Sequence, residues 1–191
     1  FDIGDVILAI TQKLVRRHPH VFGDSAARTA GAVSGQWEDI KASERAGKAE
    51  RNDRPASILD DVPMTLPALM RAEKLAKRAA RVGFDWPDLV SVAAKVREEL
   101  AEVEVAATSG TSIDAVREEV GDLLFAVANL ARKLDVEPEA ALRDANAKFS
   151  RRFAHVEARA KADNIALSDA GLERLDGYWN EIRAADKSGT D

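Results

Sequence analysis

The sequence contains no cysteine and only three histidines among its 191 residues. Without cysteine the chain can have no disulfide framework, no thiolate nucleophile and no thiolate-bound metal. Three histidines leave little scope for zinc, which proteins usually hold through histidine and cysteine. Any metal bound by this chain is therefore expected to have oxygen ligands.

Long apolar runs and an excess of basic charge are also missing. No run of 18 apolar residues occurs, so no segment is expected to span a membrane. The 33 acidic residues outnumber the 28 basic ones, which gives a net charge of -5 and argues against a nucleic-acid surface. We therefore expect a cytoplasmic protein with neither a membrane nor a direct nucleic-acid partner.

The hydrophobic pattern predicts an all-α fold, an antiparallel helical bundle. Apolar residues recur at spacings of three and four within runs rich in Ala, Leu, Glu, Lys and Arg, which is typical of amphipathic helices. Ser25 is the expected N-cap of the second helix, and Gly83 the expected stop after the third. The predicted helices cover approximately residues 5–17, 25–47, 66–81, 89–107, 112–134, 138–162 and 168–185.

A long-range internal repeat is visible in the sequence. Residues 13–21 (KLVRRHPHV) match residues 148–156 (KFSRRFAHV), and each copy is followed by a tryptophan, Trp37 or Trp179. Self-similarity of this kind indicates repeated structural units. The competing interpretation is a chance likeness between two arginine-rich helices.

The repeat predicts the domain organisation. Residues 1–47 are interpreted as the C-terminal remnant of a first repeat, 48–65 as a linker, and 66–191 as a complete second repeat. The head of the first copy is absent and the chain begins with Phe1 rather than Met, so we expect an N-terminal truncation.

A second, shorter repeat places acidic residues on two consecutive helices. Residues 96–103 (VREELAEV) match residues 116–123 (VREEVGDL), and the short loop between the helices favours antiparallel packing. At about 100° per residue, each copy carries two carboxylates along one flank of its apolar stripe. Gly121 is expected to allow close backbone approach there. The four carboxylates that would converge belong to Glu99, Glu102, Glu119 and Asp122.

Four converging carboxylates would repel one another and raise each other's pKa unless a cation neutralised them. A site made only of oxygen ligands favours Mg²⁺, Mn²⁺ or Ca²⁺. The sequence has no EF-hand loop and no Glu-x-x-His pair, which disfavours calcium signalling and di-iron chemistry. Magnesium commonly bridges to phosphates, so a polyphosphate substrate is expected. The alternative is a non-catalytic helical interaction module whose charged flanks are solvated.

Basic residues supply the complementary charge for such a substrate. Lys148 and Arg152 share a helix face, with Arg151 beside them, and both residue types are common phosphate partners. Lys95 lies one turn before Glu99 and could reach the acidic site.

Two further residues have a functional and a structural interpretation. Trp179 could stack on a base, or it could anchor a core or an interface. Asn129 lies seven residues after Asp122 on the same flank, where it could contact substrate or serve a structural role.

At these residues the sequence resembles the MazG family, all-α nucleoside triphosphate pyrophosphohydrolases, and the resemblance runs through the whole chain. The motifs that carry it are E-E-x-x-E at 98–102, E-x-x-D at 119–122, G-D-L-L-F at 121–125, N-L-A-R at 129–132 and N-A-K-F-S-R-R-F at 146–153.

The resemblance implies Mg²⁺-dependent hydrolysis of nucleoside triphosphates to monophosphate and pyrophosphate, for nucleotide-pool control, in a homodimer that completes the helical bundle. Mn²⁺ could substitute for Mg²⁺. Residues 66–191 would be the catalytic domain. A narrower pyrophosphohydrolase, specific for dUTP or phosphoribosyl-ATP, is an alternative within the same superfamily.

The resemblance also implies roles for individual residues. Glu98 is a candidate water-orienting base, and Glu99 and Glu119 are further catalytic candidates. The residues that match metal ligands are Glu99, Glu102, Glu119 and Asp122. The expected substrate-binding residues are Lys95, Glu118, Asp122, Asn129, Lys148, Arg151, Arg152 and Trp179.

Overall fold

The computed structural model describes residues 1–23, 29–51 and 55–189. These residues form helices and no strand, which confirms the all-α prediction. The helices are α1 (Ile3–Arg17), α2 (Pro19–Phe22), α3 (Ala30–Arg51), α4 (Ala68–Ala80), α5 (Leu89–Thr108), α6 (Ile113–Lys133), α7 (Pro138–Ala162) and α8 (Gly171–Ser188), with a 3₁₀ turn at Leu167–Asp169. No helix within the described ranges is both long enough and apolar enough to cross a membrane.

Local sequence signals explain where several helices begin and end. Asp88 caps α5, because its carboxylate accepts a hydrogen bond from the backbone N–H of Ser91 at 2.7 Å. Pro138 opens α7, at a position where the missing N–H of proline costs nothing. Gly83 has a φ of +84° just beyond α4, a backbone conformation that glycine adopts readily.

The second predicted helix differs from the observed one. It was expected over residues 25–47, whereas α3 runs from Ala30 to Arg51 and enters the predicted linker. The added turn contains Ala49, a strong helix former, which is buried. The predicted N-cap at Ser25 lies outside the described residues.

The first and last helices follow the prediction only in part. The first helix ends at Arg17, as predicted, but Pro19 opens a further short helix, α2, that was not predicted. The last helix begins at Gly171, after the 3₁₀ turn, and continues to Ser188 rather than ending at residue 185.

The chain divides into two compact units, Phe1–Met64 with Lys74–Asp85 (unit 1) and Thr65–Glu73 with Trp86–Asp191 (unit 2). Most of the predicted linker thus belongs to unit 1. The assignment of residues 1–47 to a truncated repeat and of 66–191 to a complete one stays a prediction.

A carboxylate held by two arginines joins α1 to α3 in unit 1. Arg16 Nε donates to Glu44 at 2.8 Å and Arg17 Nε at 3.1 Å. The hydrogen bond from Arg17 is the main reason that the pKa of Glu44 is lowered from 4.5 to about 2, against the opposing effect of burial. Few of the described apolar side chains of this unit are buried, and this ion cluster links the two helices directly.

Unit 2 is organised around two helix pairs. α5 packs along α6 and α7 packs on α8; the short loop between α5 and α6 makes that pair antiparallel, as predicted. The buried cluster between α7 and α8 contains Val156, Ala160 and Tyr178, with Leu175 and Trp179 packed against it.

The arginine cluster of unit 1 has a counterpart in unit 2. Arg151 and Arg152 on α7 donate to Asp186 on α8 at 2.7 and 2.8 Å. Asp186 follows Trp179 by seven residues, as Glu44 follows Trp37. The same Arg-Arg-carboxylate contact, with the carboxylate seven residues after a tryptophan in both units, supports a true repeat rather than chance similarity.

The Glu44 contact leads to a pH-dependent prediction. Because the folded-state pKa of Glu44 is depressed, its ionised form stabilises unit 1 above pH 4.5, and this contribution is lost as the pH falls towards 2. We expect Glu44→Gln to lower the free energy of unfolding by about 1–2 kcal/mol at pH 7. The difference from wild type should shrink as the pH falls through that range.

The measurement is chemical denaturation at a series of pH values, with Glu50→Gln, an exposed change on the same helix, as the matched control. A Glu44→Gln effect that is equal at pH 7 and pH 3 would contradict the assignment.

Candidate active site

Three carboxylates from α5 and α6 meet in unit 2. Glu99, Glu119 and Asp122 each place one oxygen within 4.8 Å of the other two. Glu119 and Asp122 are three residues apart, so they share one face of α6, and the antiparallel neighbour brings Glu99 opposite them. Glu99 is buried, Glu119 half-buried and Asp122 exposed. The cluster therefore opens from the helix interface towards solvent.

Glu102, the fourth predicted acid, is not part of this three-oxygen group, but it lies beside it. The pKa of Glu102 is raised, first by a hydrogen bond with Glu99, then by partial loss of hydration and by the charges of Glu99 and Glu119. Lys95 opposes this shift. The pKa of Glu102 thus depends on the charge of the cluster, as expected for a carboxylate at the edge of the cluster.

Lys95 is the cation that the structure places against the acids. Its Nζ lies 2.6 Å from Glu98 Oε1 and 2.8 Å from Glu99 Oε1. Hydrogen bonds to Glu98 first and Glu99 second raise the pKa of Lys95. The side chain of Glu98 is 59% exposed and that of Glu99 is 8% exposed. The lysine therefore bridges a solvent-facing and a buried carboxylate, and Glu98 stands on the outer side, as the helical periodicity predicts.

The basic residues of α7 are held by α8. Arg151 and Arg152 both bind Asp186, and the Arg151 hydrogen bond is the main cause of the fall in the pKa of Asp186 to about 2. Lys148 is exposed. Asp186 was not predicted from the sequence, although its seven-residue spacing from Trp179 repeats that of Glu44 from Trp37.

The remaining predicted substrate-binding residues occupy varied environments. Trp179 packs against Phe149, with ring centroids 5.3 Å apart, and against the buried α7–α8 cluster, which favours its interpretation as an anchor. Asn129 is only 2% exposed and accepts a hydrogen bond from Arg132 Nε at 2.7 Å, which favours a structural role. Glu118 is exposed on α6.

The close backbone approach predicted at Gly121 is not seen among the described residues. Apart from its chain neighbours and the backbone of its own helix, no heavy atom lies within 4 Å of the position that a Cβ atom would occupy at Gly121. The residue is exposed.

Comparison with known proteins identifies the family. A model of the MazG nucleotide pyrophosphohydrolase domain matches residues 89–157, which include all four predicted metal-binding acids. The nucleoside triphosphate pyrophosphohydrolase of Escherichia coli K12 is 47% identical over 184 residues, which cover 96% of this chain and 68% of that protein. The chain belongs to the MazG family.

A second relative agrees with this assignment. The Thermotoga maritima nucleoside triphosphate pyrophosphohydrolase/pyrophosphatase MazG is 41% identical over 188 residues, or 98% of this chain and 68% of that protein. The similarity to both proteins thus extends well beyond the MazG domain match and covers most of both compact units.

The contacts of this MazG-family site predict how Glu102 responds to Lys95. Because the charge of Lys95 lowers the pKa of Glu102 against the effect of its acidic neighbours, Lys95→Gln should raise that pKa further. The measurement is a carboxyl ¹³C NMR titration of Glu102 without divalent cations. Arg97→Gln, an exposed charge loss on the same helix, is the control. An unchanged or lowered Glu102 midpoint in Lys95→Gln would show that the lysine does not act on the cluster.

Proposed function

We propose that this chain hydrolyses nucleoside triphosphates to nucleoside monophosphates and pyrophosphate, with Mg²⁺ held by the acidic cluster of α5 and α6 and Mn²⁺ able to replace it. The observation that carries the proposal is the approach of carboxylate oxygens from Glu99, Glu119 and Asp122 to within 4.8 Å of one another. Membership of a family of pyrophosphohydrolases gives that cluster its expected chemistry.

The donor set fits a hard divalent cation. Its atoms are all carboxylate oxygens, the ligand type preferred by Mg²⁺ and Mn²⁺. One of the three acids is buried, Lys95 supplies only one positive charge to it, and the neighbouring Glu102 shows the raised pKa of a carboxylate among like charges. A bound divalent cation would remove this repulsion. When bound, it would neutralise polyphosphate charge and favour ionisation of a water molecule.

The protein side chains have distinct proposed roles around this cation. Glu99, Glu119 and Asp122 would hold it, with Glu102 as a fourth ligand on the edge of the cluster. Lys95 fixes Glu99 in place through its 2.8 Å contact. Glu98, held by the same lysine on the solvent side, is positioned to accept a proton from an attacking water.

The basic face of α7 would bind the phosphates. Arg151 and Arg152 engage the Asp186 carboxylate through planar, charge-assisted hydrogen bonds, the contacts that arginine also makes to phosphate. When Arg152 binds a triphosphate, a phosphate group would replace the Asp186 carboxylate as its partner. Trp179 would stay packed against the guanidinium group of Arg152. Lys148, on the same face, would add a further positive charge.

The direct test is pyrophosphate release from a panel of nucleoside triphosphates, including dUTP and damaged nucleotides, together with phosphoribosyl-ATP. Glu119→Gln removes the ionised carboxylate but keeps the side-chain volume. Because this charge acts on the reacting phosphates through the cation, we expect the rate to fall by about 100-fold or more, with the helical circular dichroism signal retained.

The matched control is Glu104→Gln, which removes an exposed carboxylate from α5 outside the cluster and should leave the rate within about twofold. Equal turnover of Glu119→Gln and wild type would refute the site, and the substrate panel separates a broad enzyme from one specific for dUTP or phosphoribosyl-ATP.

A homodimer is part of the proposal. α6 exposes a continuous apolar stripe in the single chain, formed by Val120, Leu124 and Val127 at helical spacing. On α5, Leu100 and Val105 are exposed as well. Exposed apolar residues on both helices of one antiparallel pair are what a second, identical pair would cover in a four-helix bundle.

The proposed dimer predicts that a charged residue in the apolar stripe of α6 prevents dimer formation. Leu124 is 51% exposed in the single chain, so Leu124→Glu should not unfold the monomer but should place a buried, unpaired charge in the dimer. We expect sedimentation velocity to show a monomer. Leu172→Glu changes a more exposed leucine on α8 and should sediment like wild type. A wild-type monomer at micromolar concentration would contradict the proposed assembly.

A further inference from the structure

A cavity in unit 1 has no role in the chemistry described above. It has a volume of about 480 Å³, enough for a small polyanion, and it is formed by α1, α3, the segment after α3 and the end of α4. Its charged lining residues are Lys13, Arg17, Lys41, Arg45, Arg78 and Asp61. We propose that this cavity is a binding site for a polyphosphate group, separate from the acidic cluster of unit 2.

The charge balance of the cavity favours an anion. Five lining side chains are cationic and one is acidic, and Glu44 also holds Arg17, so five cations lie among two acids in this set of residues. Arg17, Lys41 and Arg45 are at least half-buried, and the side chain of Arg17 is only 16% exposed. Like charges gathered in partly dehydrated surroundings repel one another. A multivalent anion would relieve that repulsion and could receive charge-assisted hydrogen bonds from the cations.

Trp37 gives the cavity a fixed aromatic wall. Lys41 Nζ lies 3.4 Å from the ring centroid and the Arg17 guanidinium carbon lies 6.0 Å from it, so both cations are held by the ring. The indole Nε1–H of Trp37 is buried and meets no acceptor within the described part of the chain. The cations are therefore positioned before any ligand arrives, which lowers the ordering cost of binding.

The ligand would be bound here and not hydrolysed. Within the described residues, the three-carboxylate group that could hold a metal ion is in unit 2, and no such group lies in unit 1. Yet the repeat places Lys13, Arg17 and Trp37 at positions that correspond to Lys148, Arg152 and Trp179, and the arginine lies over the tryptophan ring in both units, at 6.0 and 5.8 Å. Among the described residues, unit 1 thus has the same cationic and aromatic residues as unit 2 but not the metal-binding group of carboxylates.

The spread of the positive charge indicates the class of ligand. Cations line the cavity from three separate parts of the chain, α1, α3 and α4, which suits several linked phosphates better than a single carboxylate. Such a group could come from a nucleoside triphosphate or from an inorganic polyphosphate, and the two sources share the chemistry that the cavity recognises.

The test is isothermal titration calorimetry in EDTA, which removes metal-dependent binding and hydrolysis, with inorganic tripolyphosphate and ATP as separate probes. Lys148→Gln with Arg151→Gln and Arg152→Gln serves as the background, because it removes the α7 cations that are proposed to bind phosphate in unit 2. Adding Lys13→Gln and Arg45→Gln should weaken binding at least about tenfold, because two charge-assisted contacts are lost. Adding Arg51→Gln instead, the loss of one positive charge on α3 outside the cavity, should leave the affinity within about twofold.

Both probes are informative about the source of the ligand. Equal affinities would assign the site to the polyphosphate group alone, whereas tighter ATP binding would show that the nucleoside also makes contact; either result supports the site. Absence of binding at millimolar probe, or equal affinity with and without Lys13 and Arg45, would overturn it. The assay needs no turnover, so it stays decisive even if unit 2 proves inactive.

A second measurement avoids any change in the cavity. The indole N–H resonance of Trp37, assigned by its loss in Trp37→Phe, should shift in the unaltered chain on addition of tripolyphosphate in EDTA, because that group lies in the cavity wall. A resonance that stays unmoved up to millimolar tripolyphosphate would overturn the proposal.

Discussion

Electrostatic repulsion between Glu99, Glu119 and Asp122 is the constraint on which the proposed function of this chain depends. Their oxygens lie within 4.8 Å of one another, on two helices that must pack closely to be stable. Two features reduce this repulsion. Lys95 contacts the most buried acid, and the outermost acid is solvated by water. A divalent cation would remove the remaining repulsion. The repulsion between the carboxylates is therefore the physical reason why the cluster would bind a metal ion.

The fold serves this arrangement through an antiparallel pair of long helices. Because α5 and α6 are joined by a short loop, matching segments of the two helices lie side by side, and a carboxylate on one comes opposite a carboxylate pair on the other. The same pair exposes apolar residues in the single chain. In the proposed dimer those residues would be buried, so assembly and a rigid metal site would depend on the same two helices.

The sequence predicted the helices, the acidic cluster and the repeat because each has a local signature. Helical spacing located α5 to α7 closely, and the matching octets identified Glu99, Glu119 and Asp122. It could not predict that α3 continues to Arg51 or that Asn129 is buried, because both depend on packing against neighbours. Asp186 was missed for another reason: its role appears only when the arginines of α7 meet α8, although the Trp37–Glu44 and Trp179–Asp186 spacing carried that signal in the sequence.

The proposed hydrolysis releases nucleoside monophosphate and pyrophosphate, and we propose that the α5–α6 carboxylates direct the attacking water to the α-phosphorus. Turnover in H₂¹⁸O with Mg²⁺, followed by mass spectrometry of both products, tests it most directly. Attack at the α-phosphorus places one ¹⁸O atom in the nucleoside monophosphate and none in pyrophosphate. Label found in pyrophosphate, or release of inorganic phosphate with a nucleoside diphosphate, would contradict the account.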